Sequence, residues 1–217
     1  VKLARQLERR IEQLVEGVAG KVFPGPLHPV ELTARLLREA DLAVSPSPAG
    51  PITANVFRVG AHPKDLAGFE VGSLLAVELA RMVDDEAAQR GWRLEGPVVV
   101  EIYPDPEIDA GSLSVTTSVS AGPLPPWANL IGRGVLPVCF NRVVMGRSRT
   151  ADVVINAPEV SRVHAMLWRE AGRTWVEDLG STNGTFVDGR AADRGSPSIA
   201  EGGVLSLGGL QLTFRLV

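Results

Sequence analysis

At 217 residues the chain is long enough for one large domain or two modest ones, each burying its own core. Its 45% hydrophobic and 22% charged content is that of an ordinary globular protein; no apolar run approaches the roughly 20 residues of a membrane helix, and the single cysteine, Cys139, excludes an internal disulfide. The net charge of −3 divides unevenly: residues 1–121 hold 12 Lys and Arg against 17 Asp and Glu, a balance of −5, while residues 122–217 hold 10 against 8, a balance of +2. The acidic first half is a poor host for nucleic acid, and the second half suits an anionic ligand.

In chain order, Leu3, Leu7, Ile11, Leu14 and Val18 recur at helical spacing and predict a first amphipathic helix. Its charged opening (Lys2, Arg5, Glu8, Arg9, Arg10) lacks the apolar core of a secretory signal, so a cytoplasmic protein without membrane insertion is expected. A second helix is predicted from Pro29, a favoured first helical residue, to Asp41. Ser45–Pro51 is proline-rich and predicted as loop, followed by a strand over Ile52–Val59. A third helix is expected over Ser73–Arg90, with Leu75, Leu79, Met82 and Val83 on its apolar side, Asp84, Asp85 and Glu86 on its solvated side, and Gly91 as its stop. Strands over Pro97–Tyr103 and Leu113–Val119 complete the order ααβαββ. That order predicts a small α+β domain over residues 1–121: a three-stranded sheet with helices on one face, its first two strands parallel across a right-handed connection.

The run Ala121-Gly122-Pro123-Leu124-Pro125-Pro126 is stiff and proline-rich, and residues 122–126 are taken as a linker. From Trp127 to Val217 no helical period occurs. Short strands alternate with turns at Ala171-Gly172, Asp188-Gly189, Gly202-Gly203 and Gly208-Gly209, the pattern of an all-β sandwich. Cys139 lies in the apolar run Leu136–Phe140 and is expected to be a buried small hydrophobe.

Chemistry concentrates where three of these strands break into loops. Gly146-Arg147, Ser161-Arg162-Val163-His164 and Ser181-Thr182-Asn183-Gly184-Thr185 supply guanidinium groups, hydroxyls and a carboxamide. Arg147 offers a planar fork of donors matched to phosphate oxygens; taken alone, Gly-Arg is also an ordinary turn with a surface arginine. The Ser161 and Thr182 hydroxyls can donate to a phosphate, and Asn183 can both donate to and accept from a peptide backbone. Ser161 alone could be a turn serine, and Asn183-Gly184 a plain hairpin turn. Gly184 is expected at positive φ, and Gly146 at a close backbone approach.

In this order and spacing, Met145-Gly146-Arg147-Ser148, Val160-Ser161-Arg162-Val163-His164-Ala165 and Ser181-Thr182-Asn183-Gly184-Thr185 resemble a forkhead-associated (FHA) domain over residues 127–217. The resemblance implies a sandwich of about eleven strands whose loops at one end bind a phosphothreonine peptide. It implies that Arg147 and Ser161 bind the phosphate, that Thr182 and Arg162 add to its shell, that Asn183 clamps the ligand main chain, and that His164 braces the serine loop. Arg149 and Arg190 extend the expected basic rim. Asp188-Gly189 departs from the Asn-Gly of many relatives, and both pairs suit a type I′ turn.

The first half, through Leu7-Glu8-Arg9-Arg10-Ile11-Glu12, Arg38-Glu39-Ala40-Asp41 and Gly91-Trp92, is similar to a small domain found ahead of FHA modules in actinobacterial signalling proteins. That similarity implies an adaptor in Ser/Thr kinase signalling, linked to cell-wall synthesis or division. Its partners would be threonine-phosphorylated proteins, a kinase or its substrate. No cofactor, metal site or catalytic residue is expected: His28, His62 and His164 are scattered, and no metal-ligand spacing occurs. Two alternatives stand beside this reading: a phosphate-independent scaffold using the same fold, and RNA binding through Gly17-Val18-Ala19-Gly20, formally a G-x-x-G loop.

Overall fold

The computed structural model describes residues 29–66, 74–193 and 195–217. The predicted first helix and the G-x-x-G segment lie outside them. The described residues fall into two compact units. One comprises those of Val1–Ala43, Ala54–Asp85 and Val98–Ser120; the other comprises Val44–Thr53, Glu86–Pro97 and Ala121–Val217.

In the first unit, helix α1 spans Pro29–Leu42. Leu32, Leu36 and Ala40, spaced by four, are buried along one stripe. Strands β3 (Val56–Ala61), β4 (Val99–Pro104) and β5 (Leu113–Ser118) form a three-stranded sheet in the order β4-β3-β5. β3 pairs parallel with β4, as the intervening helix requires, and antiparallel with β5. Helix α2 spans Leu74–Arg90 and buries Leu75, Leu79, Met82 and Val83. Asp84 and Asp85 are solvated as expected, but Glu86 is buried and pairs with Arg90 at 2.7 Å. Glu86 falls four residues after Met82, so helical geometry returns it to the covered stripe.

The second unit recruits two segments from the first half of the sequence. Residues predicted as loop instead make a short hairpin, β1 (Ser45–Ser47) with β2 (Gly50–Ile52), closed by the Ser47 hydroxyl donating to the Gly50 carbonyl at 2.7 Å. The proline content masked it, because a two-stranded ribbon places prolines where no ladder donor is needed. The predicted strand over Ile52–Val59 is accordingly split, Ile52 closing β2 and Val56 opening β3.

The remainder is an eleven-stranded sandwich: β6 (Ala128–Ile131), β7 (Val135–Val138), β8 (Arg142–Gly146), β9 (Val153–Val154), β10 (Ala165–Glu170), β11 (Arg173–Asp178), β12 (Thr185–Val187), β13 (Arg190–Ala191), β14 (Ser198–Ile199), β15 (Val204–Leu207) and β16 (Leu210–Leu216). One sheet has the order β14-β11-β10-β8-β9 and the other β13-β12-β15-β16-β6-β7. Between them Leu130, Val143, Met145, Leu167, Val176, Leu205, Leu207 and Phe214 form a buried core. Asp188 and Gly189 both take positive φ (48° and 79°), the type I′ geometry expected of the β12–β13 hairpin. Cys139 follows β7 and is half-buried rather than buried, because its strand ends at Val138.

Candidate phosphate-binding loops

Three loops gather at one end of the sandwich. Residues 147–152 join β8 to β9, residues 155–164 join β9 to β10, and residues 179–184 cross from β11 in one sheet to β12 in the other. Beyond Gly146 the first two loops run side by side: the Arg147 N–H donates to the Ser161 carbonyl at 2.9 Å, and the Ser148 N–H to the Arg162 carbonyl at 3.0 Å. The pairing is close enough that a Cβ on Gly146 would lie 2.2 Å from the Arg162 carbonyl oxygen. Glycine at 146 thus sets the spacing of the two loops.

The second and third loops meet through Ser161. Its Oγ accepts the Thr182 N–H at 3.0 Å and faces the Thr182 hydroxyl at 3.5 Å. Asn183 Nδ2 donates to the Glu159 carbonyl at 2.9 Å, leaving its second amide hydrogen and its Oδ1 directed to solvent-accessible space. Gly184 follows at φ 81° and turns the chain into β12.

His164 sits beneath this junction, fully buried. Its Nδ1 accepts the Ser161 N–H at 2.9 Å, which fixes the neutral tautomer carrying the proton on Nε2. Nε2 then donates to the Gly184 carbonyl at 3.2 Å, while the His164 carbonyl accepts the Leu179 N–H at 2.9 Å. The imidazole therefore ties the serine loop to the end of the third loop, and the His164 backbone holds that loop's start.

Asp178 performs the same task within the third loop. Its carboxylate accepts the Ser181 and Thr185 hydroxyls, each at 2.6 Å, and the Gly180 and Ser181 N–H groups at 2.9 and 2.8 Å. Burial works to raise this carboxyl, but the hydrogen bonds from Ser181, Thr185 and the two amides outweigh it and hold the group below its ordinary value. Ser181 in turn accepts the Gly184 N–H at 2.9 Å. A Cβ on Gly208, in the β15–β16 turn, would lie 2.2 Å from the Glu159 carbonyl oxygen. Asp178, Ser181 and Thr185 belong to the loop motif and Gly208 to a turn in the sequence reading, but none of them was given a role in the site. The Asp-x-x-Ser spacing was the available signal, since an aspartate two and three residues before free amides caps a turn.

The structure brings Arg147, Ser161, Thr182 and Asn183 together through these bonds. Arg147 is exposed; its Nε donates to the Val160 carbonyl at 3.2 Å, and its two Nη groups have no partner among the described residues. The exposed guanidinium of Arg162 likewise has none, and Arg149 stands one residue beyond the Ser148–Arg162 pair. Arg190 is not part of the cluster. It follows the hairpin at the far end of β12, about 10 Å along a three-residue strand from Gly184.

The family model described as FhaA, N-terminal domain, matches residues 4–116, and the FHA domain model matches residues 143–208. The chain belongs to the FhaA N-terminal domain family. The FHA domain model matches a later stretch of the same chain. The FHA domain-containing protein FhaA of Mycobacterium tuberculosis is 25% identical over 122 residues, 55% of this chain and 23% of the relative. The ABC transporter ATP-binding/permease protein Rv1747 of the same organism is 38% identical over 72 residues, 33% of this chain and 8% of the relative. The chain thus matches less than a quarter of the length of either. The solved structure of the Mycobacterium tuberculosis Rv1747 FHA-1 domain is 28% identical, covering 42% of this chain and 97% of that one, with a TM-score of 0.36.

Proposed function

We propose that this protein binds threonine-phosphorylated partners through the 147–152, 155–164 and 179–184 loops and acts as an adaptor in Ser/Thr kinase signalling. The observation that carries the reading is the state of Arg147. Its Nη groups are exposed and unpaired, on a loop hydrogen-bonded to the one bearing Ser161. A guanidinium in that condition matches a dianionic phosphate bidentately and keeps its charge at any physiological pH.

In this reading Arg147 takes two phosphate oxygens, the Ser161 and Thr182 hydroxyls rotate to donate to a third, and Arg162 adds long-range attraction. Asn183 holds the peptide main chain with its remaining N–H and its Oδ1. His164 and Asp178 do not touch ligand; they fix the loops before it arrives, which lowers the ordering cost of binding. The reaction class is recognition, not catalysis: the histidine is buried and both its nitrogens are engaged. The similarity of the first half supports a Ser/Thr kinase or its substrate as the partner and a place in cell-wall synthesis or division, and the single cysteine supports a cytoplasmic setting.

The test is a fluorescence-polarisation titration of the full chain with degenerate peptide pools centred on phosphothreonine, phosphoserine or unmodified threonine. Micromolar binding of the first pool is expected, about −8 kcal/mol. The second should bind more weakly, since a methyl in an apolar niche contributes about 0.8 kcal/mol. Equal affinity for phosphorylated and unmodified threonine would leave a phosphate-independent scaffold as the better reading.

A further inference from the structure

We infer that Arg93, which lies outside the FHA motifs, is a positioning residue for the phosphate site: it clamps Asp152 to strand β8 and thereby fixes the far end of the loop that carries Arg147. The inference rests on the function proposed above for that loop.

Arg93 belongs to the 86–97 segment of the second unit, upstream of the sandwich in sequence and within the stretch matched by the FhaA N-terminal domain model. Its backbone is fixed by two bonds to the β1–β2 hairpin: its N–H donates to the Pro51 carbonyl at 2.8 Å, and its carbonyl accepts the Thr53 N–H at 3.1 Å. The side chain, only 8% exposed, packs its guanidinium over the Phe140 ring at 4.0 Å. Four hydrogen bonds then satisfy the fork. Nε donates to Glu95 at 2.7 Å, Nη1 to the Arg142 carbonyl at 2.7 Å and to Asp152 Oδ2 at 2.9 Å, and Nη2 to Asp152 Oδ1 at 2.9 Å.

Asp152 is the last residue of the Arg147 loop, and its Oδ2 also accepts the Val144 N–H of β8 at 2.8 Å. A single carboxylate thus ties the end of the loop to the strand from which the loop departs. Arg93 locks that tie by bonding to the carboxylate and to β8 together. The start of the loop is pinned by the Arg147 and Ser148 pairings, and its middle by the Ala151 N–H donating to the Ser148 carbonyl at 3.1 Å. With six residues between fixed ends, the Arg147 backbone has little freedom. Without Arg93, the Asp152 side chain, 17% exposed, loses its ion-pair partner, and the loop gains by turning that carboxylate to water.

Arg93→Met keeps the apolar stem against Phe140 and removes the fork; Arg93→Lys keeps the charge; Asp152→Asn removes the anion. Each would be made in the full chain, with the Arg93→Met/Asp152→Asn double variant. Two readouts are taken: affinity for the degenerate phosphothreonine pool, and amide hydrogen exchange across residues 144–155. Each of Arg93→Met and Asp152→Asn should weaken binding about tenfold, the change that ~1.4 kcal/mol of lost preorganisation produces. The double variant should be no weaker than the singles, Arg93→Lys should recover part of the affinity, and the loop amides should exchange faster in every weakened variant. A folded Arg93→Met protein with wild-type affinity, or additive losses in the double variant, would overturn the inference. If Arg93→Met does not fold, Asp152→Asn decides by the same criteria. If the wild-type chain binds no phosphothreonine peptide, the proposed function falls, and exchange alone judges the clamp: faster exchange supports it and unchanged exchange overturns it.

Discussion

Ser161 and His164 stand three residues apart, and the Nδ1 of the buried histidine accepts the serine N–H at 2.9 Å. This bond makes the outer serine and the inner histidine one unit. Because Nε2 continues to the Gly184 carbonyl, the same ring registers the second loop against the third. Replacing His164 with alanine removes both bonds, leaves a cavity and deprives the Ser161 N–H of its acceptor, while the Gly184 carbonyl keeps the Gly208 N–H at 3.0 Å. We expect a loss of about 3 kcal/mol in urea unfolding. Phosphopeptide affinity should fall as well, even though His164 touches no ligand, because Ser161 is released.

Asp178 gives the pH dependence. Its folded value is held below the ordinary 3.8, so its stabilising effect is fully present above the unfolded value and is lost as the pH falls through the folded one. Unfolding midpoints of the wild type and Asp178→Asn should therefore differ most at neutral pH. The two curves should begin to converge near about pH 4, where the unfolded carboxyl takes up its proton, and meet once the pH has fallen through the folded value. A gap that widened in acid would contradict the sign.

Glycine replacements separate contact from flexibility. Gly146→Ala places a methyl 2.2 Å from the Arg162 carbonyl oxygen and forces the loops apart, at a cost of about 1–3 kcal/mol. Gly134, whose added Cβ would meet nothing within 4 Å and whose φ is not positive, should accept alanine within about 0.5 kcal/mol. Thermal melts of the two variants check the contrast.

Much of this was legible in the sequence, and the reasons are specific. The Leu75, Leu79, Met82, Val83 stripe and the Gly91 stop located helix α2, because period and punctuation agreed. The turn pairs Ala171-Gly172 and Asp188-Gly189 located their hairpins, since a type I′ turn demands positive φ at both positions and few residue pairs supply it. The loop residues were visible because their chemistry is unusual for turns. Of the braces beneath them, His164 was legible through the family resemblance, whereas Asp178 and Thr185 look like strand ends until the Asp178 carboxylate gathers the Ser181 and Thr185 hydroxyls. Glu86 escaped because it follows two solvated aspartates, although its spacing from Met82 returns it to the covered stripe, and the β1–β2 hairpin escaped because its prolines read as loop. Arg93 was invisible because its partner Asp152 lies 59 residues away, and no local spacing encodes that pairing.

Asp188→Asn tests the turn reading. Both residues tolerate positive φ, and an asparagine Oδ1 can replace the carboxylate oxygen that accepts the Val204 N–H at 2.8 Å. The melting temperature should hold, with a stability change within about 0.5 kcal/mol.

The most direct measurement is a calorimetric titration of the degenerate phosphothreonine pool into wild-type and Arg147→Ala proteins whose unfolding curves match. Arg147 is exposed and contributes one side-chain bond to Val160, so its removal should leave the fold intact. Arg147→Ala should lose at least about 2 kcal/mol of binding, weakening a micromolar complex about thirtyfold or more. Retention of wild-type affinity by a folded Arg147→Ala protein would contradict the proposed binding.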